Sequence, residues 1–365
     1  MCYAIAIKNG GLLELQVVIS AAEMVTPIGM NLSQTFASLR ADITRMREAG
    51  DIYWCRADDP DFEDGAPLVA STLSYLEPQR KQKNTPAQWL AHIAAQAFNN
   101  LREKAQLSLP QYRELGLFMG LPPQQPGWGP EQEEQFCYHF HNTIEMDLFP
   151  VAQFSFTGHA GALSLFESTR RALASGQIRY ALLGGVDSYL FPEWLENLDQ
   201  NYRIKSDRNL DGFIPGEGAA FLLLEPAGQP EKRGLSPLAA VTAAIQDRCP
   251  ATEVAHNTGV ALSKTLSHLL EASPQPPIIV CDLNGEPARM KEWGYTYSRL
   301  GERLGVPLAL EHPVDVLGDM GAASGAMFTA LAILYLQKKY AQHASALIWT
   351  ASDTGERAAM LIEKK

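Results

Sequence analysis

The sequence lacks any close pair of cysteines. Its five, Cys2, Cys55, Cys137, Cys249 and Cys281, are scattered, and no two stand at metal-ligand spacing. That excludes a zinc-type motif, and the odd count argues for a reducing, cytoplasmic setting. Basic charge is scarce: 30 Lys and Arg face 41 Asp and Glu, a net charge of −11. Such an acid excess excludes nucleic acid and anionic membrane surfaces as general partners. The apolar stretch at residues 326–336 is too short to cross a bilayer. The opening MCYAIAIKNG lacks a basic segment followed by a long apolar run, so no signal peptide is expected. Phosphate-cradling and hydrolase motifs are missing too. GGVDS and GEGAA carry no following Lys-Ser/Thr, and no Ser stands in a G-x-S-x-G elbow. The expectation is a chain without metal or cofactor.

What is present is a long, core-rich chain of 365 residues, 46% hydrophobic and 19% charged. Residues 154–188 read as strand, small-residue turn, helix and strand, and residues 316–353 repeat that layout. Gly161-Ala162 and Gly325-Ala326 stand 164 residues apart, and the strands from Ala181 and Ala346 stand 165 apart. The near-constant spacing predicts a duplicated half. It divides the chain into residues 1–230 and 231–365, two halves of one structural unit. In such a layout the turn before each buried helix presents a nucleophile or base. Those turns carry Gly158 and Asp319.

Other elements follow from periodicity and punctuation. LQVVIS at 15–20 reads as a strand. Asn31 or Ser33 would cap a helix over about 34–48, with Phe36, Leu39 and Ile43 on one face. Residues 51–67 read as an exposed, irregular excursion. A helix is predicted over 86–103, with Trp89, Ile93, Ala97 and Leu101 at helical spacing, and a buried strand over 115–120. AMFTALAILYLQ, after Gly325, is apolar on nearly every side, so it is buried from all directions. ALLGGV and IIVCDL are apolar on both faces, as strands covered twice require. Together these predict helices trapped between sheets.

These residues also resemble a family. LQVVISAAEMVTPIGMNLSQTFASLRA is similar to the opening of a β-ketoacyl synthase. ALLGGVDS followed by LDGFIPGEGAAFLLLE resembles that family's second signature, and LGDMGAASGAMFTALAIL resembles the segment holding its second catalytic His. The match runs in order over about residues 15–363. It implies the thiolase fold, an α/β five-layer αβαβα sandwich of two pseudo-symmetric halves, usually a homodimer. The strand near 151–156 would pair with its mate across the two-fold.

The family's catalytic residues do not carry over. Gly158 falls where the resemblance places the nucleophilic Cys, Asn284 at the first His, Asp319 at the second and Val314 at the Lys. The C-terminal gate, normally with Phe, reads ASDTGERAA. A glycine cannot form a thioester, Asn cannot shuttle a proton near neutrality, and an ionised Asp is an acceptor rather than a donor. His159, at a helix N-terminus, could pair with Asp319 as acid and base. The weightier reading is a structural polar contact in a filled pocket. Glu217, the other candidate pocket residue, reads as structural. Cys281 reads as an inert core thiol, and CYHFH at 137–141 as the edge of an element rather than a metal site.

Three functions remain open at this level. The first is a non-catalytic, dimeric accessory factor that binds a protein partner or an acyl-like ligand. Chain-length factors of polyketide systems, which pair with an active synthase, give the precedent. A homodimer or a heterodimer with a related chain is expected, in a bacterial polyketide, fatty-acid or secretion system. The second is an acyltransferase built on His159, Asn284 and Asp319. The third is a scaffold with a collapsed pocket.

Overall fold

The computed structural model of the protein describes residues 15–56, 65–83, 85–146, 149–249, 257–273, 275, 277–338 and 343–365. Cys2 and the leading decapeptide lie outside them. Ten strands form the main sheet: β1 (Val17–Val25), β2 (Leu115–Gly120), β3 (Ala152–Ser155), β4 (Tyr180–Ser188), β5 (Glu217–Pro226), β6 (Ala239–Arg248), β7 (Ile278–Cys281), β8 (Leu310–Glu311), β9 (Ser345–Ala351) and β10 (Glu356–Lys364). Their spatial order is β8-β7-β9-β10-β6-β1-β5-β4-β2-β3. The order is a palindrome of roles. Each half runs from its first strand through two antiparallel neighbours to two parallel ones. The two arrays meet where β1 pairs with β6 over three residues, Val17–Ile19 against Val241–Ala239.

Strand side chains alternate between two cores. Ala220, Leu222 and Leu224 of β5 face a central cluster, whereas Ala219, Phe221 and Leu223 face an outer one. That period of two, with apolar residues on both sides, is what a sheet covered twice requires. The outer cover of the first array is α1 (Pro86–Ala105) with α2 (Pro130–Ile144). The outer cover of the second is α5 (Val260–Glu271) with α6 (Pro287–Leu300). Between the arrays lie the short α3 (Gly161–Ser164), continued by α4 (Phe166–Ala174), and the long α7 (Ser324–Gln337). α7 packs against β4 and β5 on one side and β7, β9 and β10 on the other. Twelve of its fourteen residues are buried, which explains its uniformly apolar sequence. The result is the five-layer αβαβα arrangement.

Two expectations are corrected. The first helix spans only Leu32–Arg40, capped by the Asn31 side chain accepting from the Gln34 amide. Ile43, expected on its buried face, lies beyond it and is exposed. Asp42 takes a positive φ of 54°, which ends the helix and turns the chain into the short strand Met46–Glu48. The duplication is also less regular than its spacing implies. β3 runs directly into the first turn. In the second half a helical turn, Val314–Leu317, separates β8 from the turn at Gly321–Ala323. The predicted exposed excursion at 51–67 contains Trp54–Cys55 paired with Ala66–Pro67; residues 57–64 lie outside the described ones.

Close approach explains two glycines. A Cβ on Gly185 of β4 would lie 2.1 Å from the Ala322 carbonyl oxygen, so strand and turn touch backbone to backbone. Gly321, with a φ of +48°, would place its Cβ 2.0 Å from the Asp187 carboxylate. Asp187 in turn accepts from the Ala322 amide at 2.7 Å and from the Ser188 amide at 2.8 Å. This carboxylate ties β4 to the head of α7 and satisfies one amide, that of Ala322, which a helix start leaves open.

Candidate functional site

The fold brings five remote segments together at the heads of α3 and α7. The first is the turn Gly158–Ala160, where Gly158 has a φ of +75°. The others are Asn284 after β7, Arg289 in the first turn of α6, Asp319 before the turn into α7, and residues 351–353 at the end of β9. Parallel strands deliver side chains to one edge in this way, where the loops beyond their carboxyl ends converge.

Asp319 is the hub. His159 Nε2 stands 2.7 Å from its Oδ1, and the Gly321 amide donates to the same oxygen at 2.9 Å. Asn284 Nδ2 donates to its Oδ2 at 2.7 Å and to Glu286 Oε2 at 2.9 Å, which spends both amide hydrogens. Arg289 donates from NH1 to Asp282 Oδ2 at 3.0 Å and to the Ala351 carbonyl at 2.8 Å. The Ala351 amide also donates to Asp282 Oδ2, at 2.8 Å. Outside this, Arg203 bridges Glu286 at 2.7 Å and Asp353 at 2.7 Å. Even the turn amides are occupied: Ala160 N–H donates to Ser352 Oγ at 2.9 Å and Gly158 N–H to the Leu121 carbonyl at 3.3 Å. His159, Asp282, Asn284, Arg289 and Asp319 are all buried.

Charge states follow from this mutual enclosure. Burial works against the His159 imidazolium and Arg289 opposes it too, yet the adjacent Asp319 outweighs both and holds its pKa above the ordinary value. Burial likewise works against the Asp319 carboxylate, but His159, Arg289 and Asn284 hold its pKa well below the usual range. Asp282 shifts the other way, because burial exceeds the help from Arg289. Asp187 rises to about 7, since its two backbone donors only partly offset burial.

Gly158, His159, Asn284 and Asp319 therefore meet in one place. Glu217 does not join them. It accepts from the Leu73 amide, Arg80, Trp89 Nε1 and Ser188 Oγ, none of which touches the His159 cluster. Arg80 lies over the Trp89 and Phe191 rings, so this second buried carboxylate is a structural hub of its own. Sequence reasoning missed Arg203, Asp282, Glu286, Arg289, Ser352 and Asp353. ASDTGERAA held a signal for the last two, since this gate segment departs in charge from the resembled pattern. Cys281 is buried and its thiol pKa is pushed up by burial, as an inert core thiol requires. Cys137, His139 and His141 lie on α2, and among the described residues no three His, Cys, Asp or Glu side chains converge as a metal would need. Outside Asn284 lies a cavity of about 280 Å³, bordered by Met46, Lys205, Asp211, Val314 and Asp315.

Residues 146–229 match the family model for the β-ketoacyl synthase N-terminal domain. No curated protein sequence matches the chain. Among solved structures, it is similar to a type II polyketide ketosynthase complex described as an acyl-carrier protein with its ketosynthase bound to the hexaketide. There the TM-score is 0.77 and the identity 14%, over 96% of this chain and 100% of that one. It is similar to the ketosynthase from module 6 of the bacillaene synthase from Bacillus subtilis 168, with a TM-score of 0.73 and 15% identity, over 96% of this chain and 72% of that one. It is also similar to the ishigamide ketosynthase/chain length factor, with a TM-score of 0.68 and 17% identity, over 96% and 99% of the two chains. The chain thus shares the fold of these ketosynthase structures, and residues 146–229, across the first turn and its flanking strands, match the β-ketoacyl synthase N-terminal domain.

Proposed function

We propose that this protein is a non-condensing ketosynthase-like accessory factor that works through dimerisation and a protein partner. The observation that carries the reading is the closed state of the site. Condensation needs a nucleophile to hold the acyl group and free donors for a developing oxyanion. Gly158 offers no nucleophile. Both Asn284 hydrogens, the Ala160 amide and the His159 Nε2 edge are committed to partners within the chain. An acyl transfer through His159 alone would have to break its 2.7 Å contact with Asp319 inside a buried chamber. The acyltransferase alternative is therefore not favoured.

Partnership is supported by β3. It ends the sheet and pairs only with β2 among the described strands. Val151 and Ser155 carbonyls accept from Leu117 and Leu121, so by alternation the backbone groups of Ala152 and Phe154 point outward. An unpaired edge of this kind suits an isologous mate, the same chain or a related one. Two of the similar structures carry a partner protein or a ketosynthase/chain length factor pair in their descriptions, which favours the same reading here. No described helix is long and apolar enough to cross a membrane. A bacterial, cytoplasmic polyketide, fatty-acid or secretion system is the proposed setting. Intact-mass spectrometry after incubation with acyl thioesters tests the central point. No acyl adduct and no condensation product are expected; either one, from protein free of a contaminating synthase, overturns it.

A further inference from the structure

The Arg289 guanidinium lies where a ligand would lie. Its residue is 7% exposed, and acceptors from two segments, residues 282–286 and 351–353, surround it. One nitrogen reaches Asp282 at 3.0 Å and the Ala351 carbonyl at 2.8 Å. The other reaches Asp353 and His159 Nδ1, each at 3.4 Å. Glu286 stands 3.5 Å from Nε. Without this side chain the chamber would hold Asp282, Glu286, Asp319 and Asp353 against Arg203 and His159. Such a wall fits a cation, and the two-sided spread of acceptors fits a planar fork of N–H donors better than a point charge. Two polar atoms of the chamber also remain without a hydrogen-bond partner: Asp282 Oδ1, on a residue 1% exposed, and Arg289 Nε. The chamber thus leaves one buried acceptor open, Asp282 Oδ1, and one donor of the guanidinium unspent.

From this geometry we infer that the chamber is a guanidinium-selective cation site, which the chain fills in cis with Arg289 and thereby closes. The inference rests on the non-condensing reading above and specifies it further. The site's ligand class is a guanidinium or amidinium cation, not an acyl thioester or a carboxylate. Arg289 is a built-in ligand that ties α6 to the end of β7 and the end of β9.

Chemical rescue tests this in the full chain. Arg289→Ala is titrated with millimolar guanidinium chloride, with sodium chloride and sodium acetate as controls of equal ionic strength. Guanidinium at ten times its Kd is expected to raise the variant's Tm by roughly 2 °C, with no rise in either control. The wild type, already filled, gains nothing. A rise with acetate, or none with guanidinium, overturns the inference. Should the Ala variant fail to fold, Arg289→Lys is compared with wild type. A plain charge pair tolerates Lys, whereas a guanidinium cradle does not, so an unchanged Tm in the Lys variant also overturns it. Acylation of the wild type by a thioester would refute the non-condensing reading instead, and the rescue result would stand apart from it.

Discussion

His159 and Asp319, 160 residues apart in the chain, are joined at 2.7 Å between Nε2 and Oδ1, and each sets the charge of the other. The pair fixes a pH window. The raised His159 pKa contributes stability that is fully present below its ordinary value of 6.5 and is lost as pH rises through the folded value. The depressed Asp319 pKa contributes stability that is present above 3.8 and is lost as pH falls through its folded value. Asp187 and Asp282, both raised, contribute stability that is full only below 3.8 and is lost as pH rises through their folded values, about 7 for Asp187. Thermal unfolding should therefore be most resistant at about pH 4, decline gradually toward about pH 7 as Asp187 and Asp282 ionise, and decline further as His159 loses its proton. Asp319→Ala should cost about 3–5 kcal/mol, because it leaves buried cationic partners uncompensated. Asp319→Asn should flatten the alkaline decline. A decline as steep as wild type's would show that the pair does not set it.

Glu217 should matter as much for folding while lying apart from the His159 chamber. Glu217→Ala leaves Arg80, Trp89 Nε1, Ser188 and the Leu73 amide without their acceptor. The expected loss is about 3–5 kcal/mol, read as a drop in the denaturation midpoint. The guanidinium rescue of Arg289→Ala should be unaffected in a Glu217→Gln background, which separates the two hubs.

Restoring the missing thiol should not restore condensation. Gly158→Cys places its Cβ 3.4 Å from Pro123 Cδ, so space exists, but the φ of +75° strains any side chain there. The donors that an oxyanion would need remain spent on Asp319, Glu286 and Ser352. The variant should alkylate with iodoacetamide, since a thiol at a helix head has a lowered pKa. It should give no condensation product above the wild-type baseline by chromatography. Product formation by this single variant would mean that the site is one side chain from activity.

The β3 edge makes assembly testable without touching the core. Ala152→Pro removes an outward N–H and leaves the β2 ladder intact. Light scattering should give a dimer for wild type at micromolar concentration and a monomer of unchanged helical content for the variant. A wild-type monomer, with no related chain supplied, would count against self-pairing at this edge.

Much of the layering was legible because it is written locally. The all-apolar stretch after Gly325 and the doubly apolar strands state their burial in consecutive residues. Of the two cap candidates, Asn31 and Ser33, Asn31 is the cap, and Trp89, Ile93, Ala97 and Leu101 announced their helix. The second half's turn was less legible. Spacing alone cannot separate a strand from a helical turn such as Val314–Leu317, and a four-residue helix has too short a period to read. The charged chamber was legible along its family-like positions, Gly158, Asn284 and Asp319, and in His159, whose place at a helix N-terminus suggested the contact with Asp319. Arg203, Asp282, Arg289 and Asp353 come from four places in the chain, and each alone looks like an ordinary surface charge. Their meaning comes from the ion pairs they form across the fold and from the burial of Asp282 and Arg289, which no local pattern records.

The ion network around Arg289 also constrains how this sequence can change. Arg289, Asp319, Asn284 and Arg203 each hold at least two partners, so substitutions among them are epistatic rather than additive. Replacing Arg289 or Asp319 alone strands a buried charge, and only concerted replacement avoids that intermediate. Descendants of this chain are therefore held on one side of a ratchet. Drift at the surface is free, while the path from this chamber toward a neutral, thiol-bearing centre runs through unstable sequences.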